Sequence, residues 1–502
     1  MASPATQPGL EEATALPGPT PPEIIPRRGF RYPPGLRLNL LFYTGRSFFD
    51  RSNPIIFFEY LTKRFGRAAH YRLLWHHIVL LNDPADIREV LIDKARFFIK
   101  ERTQKRMKML LGEGLITSDG EIHRRHRAIA APAFHRHRIQ AYAGTIVEHA
   151  AAIRSRWQPM QPFDIASAMM RLALEITART LFDTEVTAEI ETINNESNAV
   201  MEIYNDLMQT PNAELFFRWK IPLPVLKRFR RSRERLDEVV GKMIAQRQTE
   251  FAKAQREGRP IGSDLLSMLI AAHDETPESA QSVPKTLSSE ELRDEVMTIF
   301  LAGYETVANA LAWTWLLLAQ NPIAEVKLHA EIAAVLGDRL PTLEDLPRLP
   351  YAEAVIAESM RLYPPAWAMG RQATADVEIG PYRFPKGTFL FFSQYIVQRD
   401  PRYFSDPLTF QPERFLSAGN TGANKTERPR FAYFPFGGGG RQCIGESFAW
   451  MEAILVLVTI AQQWRFTLVP GQKIELQPKI TLRPKNGIQV IPHARFQQET
   501  DA

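Results

Sequence analysis

The sequence contains very little cysteine, because Cys443 is the single thiol among its 502 residues. One cysteine excludes an intramolecular disulfide framework and is typical of a protein in a reducing compartment. The N-terminal region also lacks a basic segment that leads into an apolar run, so we do not expect a secretory signal. These features predict a soluble, cytoplasmic protein, and they are compatible with peripheral contact with a membrane.

Long hydrophobic runs are absent as well. The longest uncharged stretch lies between Glu305 and Glu325, and it contains Asn309, Gln320 and Pro322. A membrane span needs roughly 20 predominantly apolar residues. We therefore predict a buried helix in this stretch and no transmembrane anchor.

The sequence has no large excess of either charge, since its formal net charge is +6. Its two basic runs, residues 123–127 and 228–235, are shorter than the stripes with interleaved aromatics that bind nucleic acids. We expect no nucleic-acid partner. The modest positive charge favours solubility and an acidic protein partner, and we expect a monomer.

Proline is concentrated at the start of the chain. Residues 1–34 contain nine prolines and few large apolar residues, which is typical of a flexible or polyproline segment. The remaining sequence shows no internal repeat. We predict a flexible proline-rich N-terminal arm over residues 1–34 and a single domain over residues 35–502.

Local patterns predict a mainly α fold with a smaller β part, in the α+β class. Ser288 and Glu291 form a capping box, and no proline follows until Pro322, which predicts a helix roughly 45 to 50 Å long. The other predicted elements are helices over residues 233–251, 351–363 and 444–463, strands over residues 377–392 and a hairpin at residues 485–487.

The single cysteine follows four glycines and an arginine in the stretch FGGGGRQCIG, residues 436–445. A thiolate, the form that binds metals, needs hydrogen-bond donors and positive potential around it. Glycines let backbone N–H groups approach the sulfur, and a helix predicted to begin at Cys443 adds the positive end of its dipole. The residues alone leave open a small buried cysteine beside a glycine turn.

The spacing Phe436-x-x-Gly439-x-Arg441-x-Cys443-x-Gly445 resembles the haem-binding signature of the cytochromes P-450. The resemblance implies a haem b whose iron is axially ligated by Cys443. The cofactor-binding positions that it implies in this loop are Phe436, Gly437, Arg441, Cys443 and Gly445.

Companion motifs follow in the order that this family has them. The run Ala302-Gly303-Tyr304-Glu305-Thr306 in the predicted long helix is similar to the family's acid and alcohol pair, which implies catalytic positions at Ala302, Gly303, Glu305 and Thr306. Gly303 also costs helix stability, roughly 1 kcal/mol against alanine, which favours a local widening of the helix.

A second group of motifs implies a structural triad. Glu358 and Arg361 match the family's Glu-x-x-Arg, and Arg414 lies in a Pro-Glu-Arg-Phe segment similar to the one that completes the triad. Taken alone, Glu358 and Arg361 have the spacing of an ordinary surface ion pair.

The resemblance implies that arginines hold the two haem propionates, at Arg441, Arg127 and Arg371. His123 stands where the family most often has tryptophan, and Gln398 stands where it often has histidine. Histidine can donate a hydrogen bond to a carboxylate, so we include His123 among the cofactor-binding residues. A zinc site from the histidines of residues 123–137 would lack a regular ligand set.

The family implies a triangular helical domain with a long central helix and a β-rich subdomain, and a monooxygenase that inserts one oxygen atom of O2 into a lipophilic substrate. A thiolate ligand favours O–O cleavage. Thr306 and Glu305 would hold O2 by hydrogen bonds and relay protons. The alternatives are a peroxide-driven peroxygenase and a haem-based sensor or electron carrier, neither of which needs this pair.

Electrons have to come from another protein. The glycine run lacks the Gly-x-Gly-x-x-Gly spacing, and no segment large enough for a flavin domain is left over. The resemblance implies a separate ferredoxin or flavodoxin with its reductase, docking near the basic residues around Arg441.

The substrate is the least specified part of the prediction. The resemblance is to fatty-acid and large-lipophile hydroxylases more than to small-terpene members of the family, which is an argument by analogy. Phe300, Trp367, Met369 and Leu482 are candidates for an apolar pocket. The segments implied to contact substrate are residues 100–115, 199–226, 300–302, 367–370 and 480–482.

Overall fold

A computed structural model of the chain gives the architecture. The residues that it describes are 25–27, 29–39, 53–73, 75–101, 106–185, 189–208, 223–258, 262, 264–274, 287–416 and 428–495. Most of them are helical, and the strands form small sheets. The α+β class is therefore confirmed.

The helices are numbered in chain order. Several begin with proline at the first helical position, where its missing N–H group costs no hydrogen bond. The α-helices of the described residues are α1 (Pro54–Phe65), α2 (Pro84–Arg88), α3 (Lys108–Leu111), α4 (Gly120–Ala130), α5 (Arg136–Gln140), α6 (Ala143–Arg154), α7 (Ile165–Leu181), α8 (Ile190–Met208), α9 (Pro224–Arg256), α10 (Leu265–Asp274), α11 (Ser289–Gln320), α12 (Pro322–Leu336), α13 (Pro350–Leu362), α14 (Gln394–Val397) and α15 (Glu446–Ala461).

The strands form four small sheets within the described residues, in the orders β1-β2-β10-β9, β3-β4-β5-β11-β8-β6, β12-β15-β7 and β13-β14. The strands are β1 (Ile25–Arg27), β2 (Phe30–Tyr32), β3 (Gly35–Asn39), β4 (Ala68–Leu73), β5 (His76–Leu81), β6 (Phe98–Lys100), β7 (Phe163–Asp164), β8 (Met369–Ala373), β9 (Val377–Ile379), β10 (Tyr382–Phe384), β11 (Phe389–Phe392), β12 (Trp464–Leu468), β13 (Leu476–Pro478), β14 (Leu482–Pro484) and β15 (Gln489–Ala494).

The long helix α11 forms the axis of the helical core, as predicted. The Ser288 side chain accepts from the Glu291 backbone N–H, and the Glu291 side chain accepts from the Ser288 backbone N–H, so the capping box is present. The 32 residues of α11 give the helix a length of about 48 Å at 1.5 Å per residue. Every residue from Asp294 to Leu318 is buried except three, and these three belong to the candidate site.

A second, smaller core lies among the strands and joins the sheets to the segment before Cys443. It contains Tyr32 from β2, Val79 from β5, Leu390 from β11 and Phe434. In the six-stranded sheet, β11 runs parallel to β5 and antiparallel to β8. This arrangement fixes β8 and its neighbour β6 beside the cysteine loop.

Three details of the sequence prediction differ from the structure. The last helix begins at Glu446 and not at Cys443, because Gly445 occupies its N-cap. The hairpin at residues 485–487 is wrong, since β14 pairs with β13 whereas β15 pairs with β12 and β7.

The boundary of the proline-rich arm also differs. Strand β2 pairs with β10, and its Tyr32 is buried, so the folded part of the chain begins before residue 35. Residues 1–24 lie outside the described residues. The single domain over residues 35–502 stays a prediction.

Glu452 on α15 generates the first testable prediction. Its side chain is fully buried, and neither carboxylate oxygen has a hydrogen-bond partner among the described residues. Burial raises the pKa of Glu452 well above its usual value. Because the folded pKa lies above the unfolded one, the free energy of unfolding falls as pH rises above about 4.5, by at most ~1.4 kcal/mol per pH unit.

We expect Glu452→Gln to remove this pH dependence, so that the variant is at least about 1 kcal/mol more stable than the parent at pH 8 and similar at pH 5. Urea unfolding across this pH range measures the effect. Glu238→Gln, at an exposed position of α9, is the control and should change the free energy of unfolding by less than about 0.5 kcal/mol. Parallel pH profiles for parent and Glu452→Gln would contradict the prediction.

Candidate functional site

The backbone of the cysteine loop turns sharply at two glycines. Gly437 and Gly439 have φ angles of 73° and 71°, in the left-handed region that favours glycine. A Cβ atom on Gly439 would lie 2.1 Å from the carbonyl oxygen of Leu91. The Cys443 N–H donates to the carbonyl oxygen of Phe436 at 3.0 Å, which closes the loop. Only glycine fits where this loop packs against residues 89–93.

The Cys443 sulfur lines an internal space. The side chain is accessible to solvent, yet protein atoms enclose it on nearly all sides, so it does not lie on the outer surface. Burial raises the pKa of the Cys443 thiol to about 11, and a hydrogen bond from the Gly445 N–H opposes this effect. A thiol that coordinates a metal cation is deprotonated outright. The surroundings alone therefore keep the thiol neutral, and a cation would change that balance.

Two buried cations lie opposite each other beside this loop. Lys100 on β6 and Arg371 on β8 are cross-strand partners in an antiparallel ladder, and both are buried. Like charges directly opposite each other destabilise a sheet. Burial lowers the pKa of Arg371 to about 10 and that of Lys100 well below its usual value, and the charge of Arg441 lowers both further.

Two arginines connect the cysteine loop to its neighbours. Arg441 donates to the Ser118 carbonyl at 2.7 Å and to Oδ1 of Asp119 at 2.6 Å. Arg127 on α4 donates to the carbonyl oxygen of Gln442 at 2.8 Å. Both side chains are partly exposed and retain N–H groups beyond these contacts.

His123 is buried one turn before Arg127 on α4. Burial lowers the pKa of His123 to about 3, and the charges of Arg441, Lys100 and Arg127 act in the same direction. The imidazole is therefore neutral at physiological pH and offers one N–H donor. The structure brings together the four predicted residues that would face the propionates, namely His123, Arg127, Arg371 and Arg441, and adds Lys100, which the sequence did not single out.

The three partly exposed residues in the buried part of α11 are Ala302, Gly303 and Thr306. Their spacing of one and four residues places them on one face of the helix, where they line accessible space. The Thr306 hydroxyl donates to the Ala302 carbonyl at 3.0 Å. The predicted catalytic positions thus share a face, with the exception of Glu305.

Gly303 has a packing role that differs from the predicted one. The helix is regular α throughout, so the local widening is absent. A Cβ on Gly303 would lie 3.0 Å from the methyl group of Thr177 on α7, which is a tight contact. The glycine therefore lets α7 approach α11 closely.

Glu305 faces away from the stripe of Ala302, Gly303 and Thr306. Its Oε1 atom accepts from Arg483 Nε at 3.0 Å and from the Thr481 hydroxyl, both at the β14 end of a two-stranded sheet. The Glu305 side chain is buried and that of Arg483 nearly so. The carboxylate is therefore compensated by a buried ion pair, and nothing in the sequence indicated Arg483 as its partner.

The predicted triad is assembled in the protein interior. Arg361 donates to both carboxylate oxygens of Glu358, at 2.6 and 2.8 Å, and Arg414 Nε donates to Oε1 at 3.2 Å. Glu358 and Arg361 are fully buried. The three residues form one network and are not a surface pair.

Gln398 connects this network to the cysteine loop. Its amide nitrogen donates to the carbonyls of Met360 and Arg361, at 3.0 and 3.2 Å, and its oxygen accepts from the Phe434 N–H at 3.0 Å. Phe434 precedes Phe436 by two residues. Glutamine thus supplies both a donor and an acceptor at the position where the family often has histidine.

The candidate pocket residues divide into two groups. Phe300 packs against Phe182 and Tyr304, and Leu482 is fully buried, so both belong to the core. Trp367 and Met369 are partly exposed, and Met369 contacts Gly437. Within the predicted substrate segments, residues 102–105 and 209–222 lie outside the described residues.

These residues fit a haem. A loop that only glycine can form holds the accessible Cys443, and the charge of Arg441 in the same loop reaches the buried cations Lys100 and Arg371. Two propionates would supply the missing negative charge. Among the described side chains, no group of three or more His, Cys, Asp or Glu residues could hold a metal ion.

No helix in the part of the chain that the structure describes is long and apolar enough to cross a membrane.

Known proteins resemble the chain over most of its length. The family model of cytochrome P-450 matches residues 33–492. Cyclooctatin synthase of Streptomyces melanosporofaciens is 36% identical over 86% of this chain and 89% of that protein. Cyclooctat-9-en-7-ol 5-monooxygenase of the same organism is 37% identical over 81% of this chain and 84% of its own. Pentalenene oxygenase of Streptomyces avermitilis is 33% identical over 78% of this chain and 82% of that protein.

The buried triad generates a stability prediction. Glu358→Gln would leave Arg361 and Arg414 without a compensating carboxylate, and breaking a buried pair in this way costs about 3–5 kcal/mol. We expect a loss of this size in the free energy of unfolding, measured with urea.

The control for this prediction is Lys327→Gln. Lys327 pairs with Glu413 at 2.6 Å, and both side chains are at least a third exposed, so its loss should cost less than about 1 kcal/mol. Equal effects of the two substitutions would contradict a dominant structural role for Glu358.

Proposed function

The chain belongs to the cytochrome P-450 family and is a monooxygenase, and on this premise we propose that it oxidises a terpene-like lipophile with O2 at a haem b ligated by Cys443. The family implies a haem with a cysteine thiolate ligand. The observation that carries the assignment is an accessible Cys443 side chain in the same loop as Arg441, whose charge reaches the buried Lys100 and Arg371.

The loop residues would hold the cofactor from one side and the cations from its edge. Gly437 and Gly439 allow the loop to bring the Phe436 ring and the Cys443 sulfur to the same surface. Lys100, Arg371, Arg441, Arg127 and the neutral His123 would donate to the two propionates. When bound, a haem with a thiolate ligand supplies oxygen activation.

The stripe on α11 would face the substrate. Ala302 and Gly303 present little bulk, and the Thr306 hydroxyl can turn from the Ala302 carbonyl to donate to an oxygen atom in the pocket. Glu305 lies on another face and is paired with Arg483. We assign Thr306 to the proton-donating position and Glu305 to a supporting one, because the carboxylate has to exchange partners before it moves a proton.

Substrate class is proposed from the relatives and the pocket. Three similar proteins are named for cyclooctatin, cyclooctat-9-en-7-ol and pentalenene, and two of these names state an oxygenase activity. Trp367, Met369 and the small residues of the stripe offer an apolar wall to such a molecule. These observations favour a terpene-like substrate, whereas the resemblance in the sequence is to hydroxylases of fatty acids and large lipophiles.

Electrons would come from a separate acidic redox protein of the ferredoxin or flavodoxin type. The exposed residues His135, Arg136 and His137 follow Phe134, which lies beside Gly445 of the cysteine loop. The positive charge of Arg136 on this side of the loop suits an acidic partner. The monomeric state and the cytoplasmic location stay predictions.

The first test of the proposed function is spectroscopic. We expect the reduced protein with carbon monoxide to show a Soret band strongly red-shifted from that of histidine-ligated haem, and we expect Cys443→Ala to lose this band. An unshifted band in the parent protein would remove the thiolate assignment and favour the sensor or electron-carrier alternative. Product formed with peroxide but not with a reduced ferredoxin would favour the peroxygenase.

The second test concerns Thr306. We expect Thr306→Ala to keep the haem spectrum but to divert most reducing equivalents to hydrogen peroxide, lowering product per NADH at least about tenfold, because a general acid contributes roughly 10²–10⁴-fold. Thr314→Ala is a matched control, because Thr314 also donates to the carbonyl four residues earlier on α11 but is fully buried. Coupling unchanged by Thr306→Ala would exclude the hydroxyl from the reaction.

A further inference from the structure

His126 on α4 is a buried histidine that the proposed function does not use. Its side chain is fully buried between α4 and the long helix α11. The Nδ1 atom lies 2.6 Å from Oε1 of Glu295, and the Nε2 atom lies 3.3 Å from Oε1 of Glu291. Both ring nitrogens therefore lie near carboxylate oxygens of α11, and Nε2 also lies 3.3 Å from Nη2 of Arg125 on α4.

The two carboxylates determine the protonation state of the ring. A neutral imidazole that donates from Nδ1 to Glu295 could accept from Arg125 at Nε2, but its Nε2 lone pair would also face the Glu291 carboxylate. The imidazolium form donates from both nitrogens and satisfies both contacts. Arg125 also donates to Glu291, so two cations balance the charges of two carboxylates.

The pKa values agree with this geometry. Burial alone would lower the pKa of His126, but the hydrogen bonds and charges of Glu295 and Glu291 outweigh it and raise that pKa. Burial raises the pKa of Glu295, and the hydrogen bond and charge of His126 oppose this rise. The pKa of Glu291 is lowered: its own burial opposes this, while the Ser288 hydrogen bond and the charge of Arg125 favour ionisation.

Other charged groups around His126 are few. Helix α10 packs against α4 and has no charged side chain from Leu265 to Ala272, and the turn Ala131–Phe134 has none. On α4 itself, His123 is neutral and Arg127 points to the Gln442 carbonyl. Lys100 faces Glu295 from β6. The carboxylates of α11 therefore dominate the environment of the ring.

Helix α4 connects two parts of the candidate site. Through Arg127 it donates to Gln442, the residue before Cys443, and through His126 and Arg125 it is paired with α11. His123 and Arg127, which would hold the propionates, lie within one turn of His126 on the same helix. Whatever fastens α4 to α11 therefore also sets the position of these two residues.

We propose that His126 is a positioning residue whose proton fastens α4 to α11 and thereby sets how tightly the haem is retained. This inference rests on the proposed function, since it assumes that His123 and Arg127 hold the cofactor. Because the folded pKa of His126 lies above the unfolded value near 6.5, the fastening is complete below about pH 6.5 and is lost as pH rises through the folded pKa.

The test is the rate of haem loss to excess apomyoglobin between pH 5.5 and 9. For the parent protein we expect slow loss below pH 6.5 and faster loss at higher pH. For His126→Gln we expect loss about tenfold faster at pH 6, the factor that corresponds to roughly 1.4 kcal/mol, and no rise with pH. His126→Lys keeps a cation, so it should restore slow loss and also remove the pH dependence.

A matched control and a second variant complete the design. His149 lies 3.8 Å from Glu175 between α6 and α7, away from the cysteine loop, so His149→Gln should leave the rate and its pH profile unchanged. If the variants at the fully buried His126 do not fold, Glu291→Gln is the alternative, because it removes a partly exposed carboxylate. Its rate of haem loss should lie between the parent rate and the rate expected for His126→Gln. A rate for His126→Gln within twofold of the control, or with the parent's pH profile, would overturn the proposal.

Hydrogen exchange of the α4 amides separates this proposal from the haem assignment. In the haem-free protein we expect His126→Gln to speed exchange in residues 120–130 at pH 6 but not in α6, whether or not the cofactor is haem. Unchanged exchange in α4 would overturn the fastening itself. If His126→Gln speeds exchange in α4 but the purified parent protein contains no haem, only the assumption about the cofactor would be overturned.

Discussion

Buried positive charge beside the cysteine loop is the constraint on which the rest of the structure depends. Lys100 and Arg371 are paired across two strands, and Arg441 is close enough to lower the pKa of each. Asp119 compensates part of this charge, through its contact with Arg441 and its influence on Lys100 and Arg371, to which Glu295 and Glu101 also contribute. An arrangement of this kind is unfavourable by itself, so a cofactor with two carboxylates would stabilise the fold as well as enable the reaction.

This constraint requires a rigid frame, because buried charges tolerate little displacement. Glu358 is held by Arg361 and Arg414, and Gln398 carries that network to the Phe434 N–H at the base of the loop. The glycines then fit the loop against Leu91 with no room for a side chain. Rigidity comes from saturated hydrogen bonds on one side of the loop and from close backbone contact on the other.

Features encoded within one short segment could be predicted from the sequence. The capping box at Ser288, the stop before Pro322 and the spacing around Cys443 depend on neighbouring residues, and the structure has the helix that the first two predict. Pairings between distant segments could not be predicted. Strand alternation indicates that Lys100 faces inward, but no local signal tells that its cross-strand partner is Arg371, 271 residues later.

The same limit explains the interpretations that changed. Gly303 lowers the stability of its own helix, and the sequence shows this cost. The reason for a glycine here is the close contact with the methyl group of Thr177, which belongs to another helix. The predicted hairpin failed because Lys485-Asn486-Gly487 has turn chemistry while the strands on either side find their partners in different sheets.

Adjacent residues on a helix can have separate tasks, and Glu305 and Thr306 illustrate why. Successive residues point about 100° apart on an α-helix, so the hydroxyl faces accessible space whereas the carboxylate faces Arg483 and Thr481. Arg483 lies on β14, next to the segment whose Lys479 carbonyl accepts from Trp367 at 2.7 Å. The β13–β14 sheet thus touches both the charge of Glu305 and a wall of the candidate pocket. One short strand pair and its turn therefore hold both the Trp367 wall of the candidate pocket and the arginine that compensates Glu305, although Glu305 does not itself face the pocket.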